Sequence, residues 1–204
     1  MQGTGSTEGA TMHAMGINRF GGPEELTLMT VPRPTPLPTE VLVRVHAAGV
    51  NPLEWLPRPA GAHAEFVTAP SRQFARKPAA IDHDHAAGIP LAGLTAWHAL
   101  TDIAHLRPGQ RVLIHAAGGG VGHLAVQLAR HLGAHVTATA SSAKLDWLRR
   151  LGAAEVIDYQ VTPFEQVAQG IDVVLDRVFP LDQAAQAHAH AENGATGKTV
   201  LPTG

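Results

Sequence analysis

The segment that most constrains this chain is Ala116-Ala117-Gly118-Gly119-Gly120-Val121-Gly122, which joins an apolar run, Arg111 to His115, to an amphipathic one, Val121 to Leu132. A strand that passes through a glycine-rich turn into a helix lets the backbone approach a ligand without an intervening Cβ. It also aims unpaired helix amides at that ligand, the arrangement that holds a phosphate. Gly119, Gly120, Val121 and Gly122 are therefore the candidate cofactor-binding residues. The same string also reads as a tight turn with close packing, and its surroundings decide between the two.

Those surroundings are regular. Gly133 stops the helix, and then come a strand, His135 to Ala140, a helix, Ala143 to Leu151, ended by Gly152, and a strand, Glu155 to Asp158. A short helix, Phe164 to Gln169, and a strand, Asp172 to Asp176, complete the series. Strands alternating with helices predict an α/β fold with a parallel, Rossmann-like sheet. A helix over Leu181 to Glu192 and a strand over Lys198 to Leu201 end the chain. Upstream, residues 82–106 have the spacing of two helices, punctuated by Pro90 and Gly93. Before them the pattern is β-rich: Met12 to Asn18 and Leu26 to Val31 flank Gly21-Gly22-Pro23 as a hairpin. Pro32 to Pro38 must be an extended connector, and Val41 to Ala47 and Ala64 to Thr68 read as strands. The expected organisation is a disordered tail over 1–11, a β-rich portion over 12–77, the nucleotide-binding unit over 78–180, and a helix and strand over 181–204.

Composition narrows the partners. A 204-residue chain that is 45% hydrophobic and 16% charged can bury about 70% of its unfolded surface. Seventeen acidic against fifteen basic residues give a net charge of -2, which steers the protein toward neither nucleic acid nor an anionic membrane. A small-molecule substrate is the expected partner. The absence of cysteine excludes disulfides, thiolate zinc sites and a cysteine nucleophile, and points to the cytoplasm. The first eleven residues lack the basic and apolar blocks of a signal peptide, and no apolar run approaches the ~20 residues of a membrane span. Of the thirteen histidines, the pairs His83/His85 and His188/His190 sit two apart in helical texture and so point away from each other. No metal site is expected.

A site for NAD usually carries Asp or Glu at the end of the second strand, where it holds the ribose hydroxyls. Here Thr139 stands at that place, followed by Ala140-Ser141-Ser142-Ala143-Lys144, with no carboxylate before Asp146. Hydroxyls and one cation suit a 2′-phosphate, so NADPH is the expected cofactor and Thr139, Ser141, Ser142 and Lys144 its adenosine-side candidates. Ser141-Ser142 reads equally well as helix capping, and Lys144 as a solvated helix lysine.

At these residues the sequence resembles the zinc-independent quinone oxidoreductase branch of the medium-chain dehydrogenase/reductase superfamily, and the enoyl reductase domains of modular polyketide synthases. The resemblance runs through RPGQRVLIHAAGGGVGHLAVQLARHLGAHVTATASSAKLDWLRRLGAAEVIDY and through MGINRFGGPEELTL, VLVRVHAAGVNP and AGLTAWHAL. It implies a reduced GroES-like substrate portion before a truncated Rossmann-like sheet. It also implies hydride transfer from NADPH to an activated C=C bond or a quinone without metal, with Thr95 near the nicotinamide and Asn51 on the substrate side. Asn51 is equally an ordinary Asn-Pro turn. Two stretches of a family member are missing, one after Asn51-Pro52 and one after Asp176, where nicotinamide and substrate would lie. Of the lysine and aspartate considered as proton donors in polyketide reductases, Lys144 matches the first, while Pro163 stands at the second. Trp55 and Trp97 read as core before pocket lining.

Three functions follow as expectations: an NADPH-dependent reductase, a non-redox enzyme carrying out a cyclisation or elimination on the shortened scaffold, and a non-catalytic binding module. The shortened sheet also leaves Asp172 to Asp176 at an edge. Helix 181–192, strand 198–201 or a second subunit must cover it, and by family habit a homodimer is expected.

Overall fold

The structure, a computed structural model, describes residues 9–19, 23–51, 63–178 and 198–200, with only the backbone at 177, 178 and 198–200. The chain divides into two compact units at Ile89 and Pro90, where the sequence pattern changes texture at Pro78.

In the N-terminal unit β1 (Thr11–Ile17) pairs antiparallel with β2 (Leu26–Pro32). Alternation works as expected on β1, where Met12 and Ala14 are buried and Thr11 and His13 face out. A second antiparallel pair joins β3 (Glu40–Arg44) to β4 (Phe66–Pro70). The strand expected to reach Ala47 ends at Arg44, with one further bond from the Val45 amide to the Glu65 carbonyl at 2.9 Å. Beyond Phe66, Glu65 turns to β1, its amide donating to the His13 carbonyl at 3.0 Å, and Ala64 bridges Ala14. The guanidinium of Arg33 lies 3.7 Å over the Phe66 ring. Asp82 caps α1 (His83–Ala87), its carboxylate accepting from the His85 amide at 2.7 Å.

The second unit begins with α2 (Pro90–His98), with Pro90 at the first helical position, where its missing N–H costs nothing. α2 runs on into a π-helical turn over Ala99–Ile103. Five parallel strands follow in the order β7-β6-β5-β8-β9, namely Glu155–Asp158, His135–Ala140, Arg111–Ile114, Val173–Val178 and Lys198–Val200. This is a Rossmann-like α/β sheet, as expected, with its first strand in chain order, β5, in the middle. α3 (Gly122–His131), α4 (Leu145–Leu151) and the single turn α5 (Phe164–Val167) are the crossovers. Gly152, at φ +113°, takes the left-handed position that closes α4. Leu100, Ile114, Val126, Val136 and Leu148 are fully buried in one core, with Leu175 against them.

Of the three covers expected for the strand over Asp172 to Asp176, the C-terminal strand is present: β9 pairs with β8 in parallel, Leu175 opposite Lys198 and Val178 opposite Val200. One expectation changes. Helix Ala143 to Leu151 opens instead as a 3-10 turn over Ser142–Lys144, with α4 starting at Leu145. Of the tail expected over 1–11, residues 1–8 lie outside the described residues and Thr11 already belongs to β1; the helix over 181–192, Trp55, His188 and His190 also lie outside them.

Candidate nucleotide-binding site

At the carboxyl end of β5 the chain turns sharply. Ala116 adopts φ +47°, a left-handed conformation that costs a residue with a Cβ roughly 1 kcal/mol. The turn is held by backbone bonds from the Gly119 amide to the Ala116 carbonyl at 2.9 Å and from the Ala117 amide to the Thr139 carbonyl at 3.0 Å. Each glycine has its own reason. A Cβ on Gly122 would lie 2.7 Å from Ala117 Cα and 2.9 Å from its carbonyl carbon, so helix and strand can approach only without one. A Cβ on Gly120 would meet nothing within 4 Å, so this glycine faces open space. Among the described residues no backbone carbonyl accepts from the Gly120 or Val121 amides. They stand at the N-terminus of α3, where unpaired donors and the helix dipole favour an anion.

Two side chains grip the loop from outside. Lys144 Nζ donates to the Gly118 carbonyl at 2.7 Å. His123 Nδ1 lies 2.8 Å from the Gly119 carbonyl, and its ring stacks on Trp147 with centroids 5.5 Å apart. The ammonium expected to meet a 2′-phosphate thus rests on the loop itself.

The end of β6 differs from expectation in a useful way. Thr139 is 2% exposed and its hydroxyl meets His115 Nδ1 at 3.0 Å, so it supports the site from below and presents nothing to a ligand. Ser142 donates its hydroxyl to Asp158 Oδ2, and Asp158 Oδ1 accepts from the Gln160 amide at 2.9 Å. Reading the second strand alone finds no carboxylate here. The β6–β7 register, which sets Ala140 opposite Asp158, brings one in from the third strand. Tyr159 follows, 57% exposed, its amide on the Ala140 carbonyl. Ser141 precedes the 3-10 turn, and its carbonyl accepts from the Lys144 amide at 2.9 Å.

His115 was not singled out in the sequence. Its amide donates to the Leu175 carbonyl at 2.9 Å and its ring meets Phe164 edge-on at 4.4 Å. Burial holds its pKa below the ordinary 6.5, with Asp176 and Glu165 pulling weakly the other way. The signal that could have found His115 and Asp158 is positional, since ligands in open α/β sheets bind outside the carboxyl ends of the strands.

The remaining candidates have bonds close to their own places in the chain. Thr95 donates its hydroxyl to the Leu91 carbonyl of its own helix at 2.8 Å. Asn51 belongs to the N-terminal unit, where its side-chain amide reaches the Gly49 carbonyl at 3.5 Å. Trp97, expected in the core, is 42% exposed on α2. His83 stacks on His46 at 4.3 Å while His85 turns to Asp82, so the two do not converge. Among the described residues no three His, Asp or Glu side chains gather as metal ligands. No helix among them is long and apolar enough to cross a membrane.

Comparison with known proteins agrees with this architecture. The family described as zinc-binding dehydrogenase matches residues 120–196. A chloroplast envelope quinone oxidoreductase homolog of Arabidopsis thaliana is 34% identical over 74% of this chain and 62% of its own length. Polyketide synthase GfsB of Streptomyces halstedii is 48% identical over 57% of this chain, which is 2% of that protein. The chain thus spans less than two thirds of these curated relatives. Among solved structures, the quinone oxidoreductase of Coxiella burnetii superposes with a TM-score of 0.80 at 25% identity, over 95% of this chain and 83% of its own. A mycobacterial protein solved as a complex with NADPH superposes with a TM-score of 0.66 at 29% identity, over 76% of this chain and 61% of its own.

Proposed function

We propose a nicotinamide-dependent reductase function from the premise that the chain belongs to the medium-chain dehydrogenase/reductase superfamily, alongside its quinone oxidoreductases and polyketide enoyl reductases. The observation that carries it is the pair of unpartnered amides at Gly120 and Val121, at the head of α3 and beside the cation of Lys144. The two amides fit a pyrophosphate. Gly119 and Gly122 keep the turn narrow beneath it. Lys144, released from Gly118, suits a 2′-phosphate, so the cofactor is NADPH, with the Ser142 hydroxyl committed to the Asp158 carboxylate and the cation carrying the phosphate contact. The nicotinamide supplies a hydride when bound. The acceptor is an activated C=C bond or a quinone, and the chemistry needs no zinc.

The protein acts in the cytoplasm on a small molecule and has no role with nucleic acid or membrane. It works as a homodimer, with the three-residue β9 as the outer strand through which two sheets can join. Light scattering should then give twice the 21.4 kDa chain mass. A monomer at all concentrations rejects this.

The decisive experiment titrates NADPH, NADP and 2′-phospho-ADP-ribose calorimetrically and follows NADPH absorbance with small quinones and enones. Binding of all three with turnover is the expected result. Binding without turnover transfers the reading to a non-redox cyclisation or elimination on the same scaffold. No binding at millimolar concentration rejects the reductase reading.

A further inference from the structure

His123 is not a glycine-loop residue by sequence, yet both its amide and its ring bond to the loop. The Gly119 carbonyl is held twice by the same residue, by the His123 amide at 3.3 Å and by the His123 ring at Nδ1, 2.8 Å away. A trans peptide is planar, so its carbonyl and the following N–H point in opposite directions, and no cis bond occurs among the described residues. Drawing the Gly119 carbonyl down toward α3 therefore turns the Gly120 N–H outward, away from the helix body. Among the described residues that amide has no backbone acceptor, and a Cβ built on Gly120 would meet nothing within 4 Å, so no side chain crowds this part of the loop. The ring that does this is itself fixed. Trp147 packs against the buried core from α4 and stacks on His123 with an interplanar angle of 29°.

We propose that His123, buttressed by Trp147, is a positioning residue that sets the Gly119–Gly120 peptide so that the Gly120 amide faces the pyrophosphate of a bound dinucleotide. The inference rests on the nucleotide-binding reading and adds to it a residue outside the glycine string. Because it acts on the pyrophosphate and not on the 2′-phosphate, its effect is the same for both nicotinamide cofactors. Lys144 is the contrast, acting on one of them.

The test titrates NADPH and NADH calorimetrically into the wild-type protein, His123→Leu, His123→Asn and Lys144→Ala. Loss of the ring donor in His123→Leu should weaken both nucleotides by about tenfold, while the side-chain amide of His123→Asn restores the donor and holds both within about threefold of wild type. Lys144→Ala should weaken NADPH alone. Wild-type affinity in His123→Leu overturns the proposal and leaves nucleotide binding standing. Equal losses in His123→Leu and His123→Asn also overturn it, because the donor is then not what matters. If the wild type binds neither nucleotide, the functional reading falls and the proposal with it. Should His123→Leu fail to fold, the backbone amide of Gly120 decides. Its resonance in labelled wild-type protein must shift on adding NADPH, and an unmoved resonance rejects the proposal.

Discussion

From residue 90 onward the described chain buries Leu100, Leu113, Ile114, Val126, Val136 and Leu148, whereas before it only Met12 and Ala14 are buried among the apolar side chains. The N-terminal strands stand in two antiparallel pairs joined through Glu65 and the Ala14–Ala64 bridge, and Leu26, Leu28 and Val41 on them are exposed. Small sheets with so little buried apolar surface are marginal in water. The parallel sheet with its crossover helices buries its strands on both faces. The two units thus share a chain but not a source of stability, and the glycine loop belongs to the one with the core.

The largest effect that could break this contrast is expected at Gly122. Gly122→Val drives a branched side chain into Ala117 and the Ala116 carbonyl, and should cost about 3 kcal/mol or more by denaturant unfolding. A loss below about 1 kcal/mol would mean that the strand-to-helix junction is not rigid. Next, Ile114→Ala should cost about 2–5 kcal/mol, against less than about 0.5 kcal/mol for Leu28→Ala, which is 68% exposed. Similar losses at both sites would erase the distinction between the units. A third measurement sharpens it electrostatically. Lys144→Ala should weaken NADPH by roughly tenfold and leave NADH unchanged, and equal losses would remove the cation from any phosphate role.

His115 offers a pH test confined to the C-terminal unit. Its folded pKa lies below 6.5, so as pH falls through 6.5 the unfolded chain takes up a proton before the folded one does. The stability from its neutral ring is full above that pH and declines as pH drops toward the folded value. His115→Asn should flatten this part of the stability curve, measured by chemical denaturation between pH 5 and 8, and an unchanged slope would assign the decline elsewhere. Smallest of all, Gly120→Ala meets no neighbour and carries no positive φ, so its unfolding free energy should move by about 1 kcal/mol at most.

Much of the C-terminal unit was legible because its strands are apolar runs and its helices are stopped by glycines, as at Gly133 and Gly152. Periodicity and punctuation both act over a few residues, the range a sequence exposes directly. What escaped depends on register. Asp158 reaches Ser142 only because Ala140 and Asp158 lie side by side across β6 and β7, and Lys144 finds Gly118 across 26 positions of sequence. Thr139 shows the converse. Its position at the strand end marks it as a ligand residue, yet alternation turns its hydroxyl toward His115. Trp97 was misplaced for a related reason, since its helix buries the face carrying Ala92, Ala96 and Ala99 instead.

The order of the sheet also sets an order of events. β5 is made first and acquires β6 and β7 on one flank through short crossovers, but the opposite flank closes only when β8 returns. There the Asp172 side chain accepts from the Arg111 amide across 61 residues, and the Leu175 carbonyl takes the His115 amide. Until β8 returns, that flank of β5 has no strand beside it. A partly folded molecule with three strands assembled would therefore own the glycines, the lysine and the head of α3, while His115 still lacked its anchor at the foot of the loop. On this account the capacity to hold a nucleotide is a late acquisition in folding, and ligand added during refolding should favour the final closure over all earlier steps.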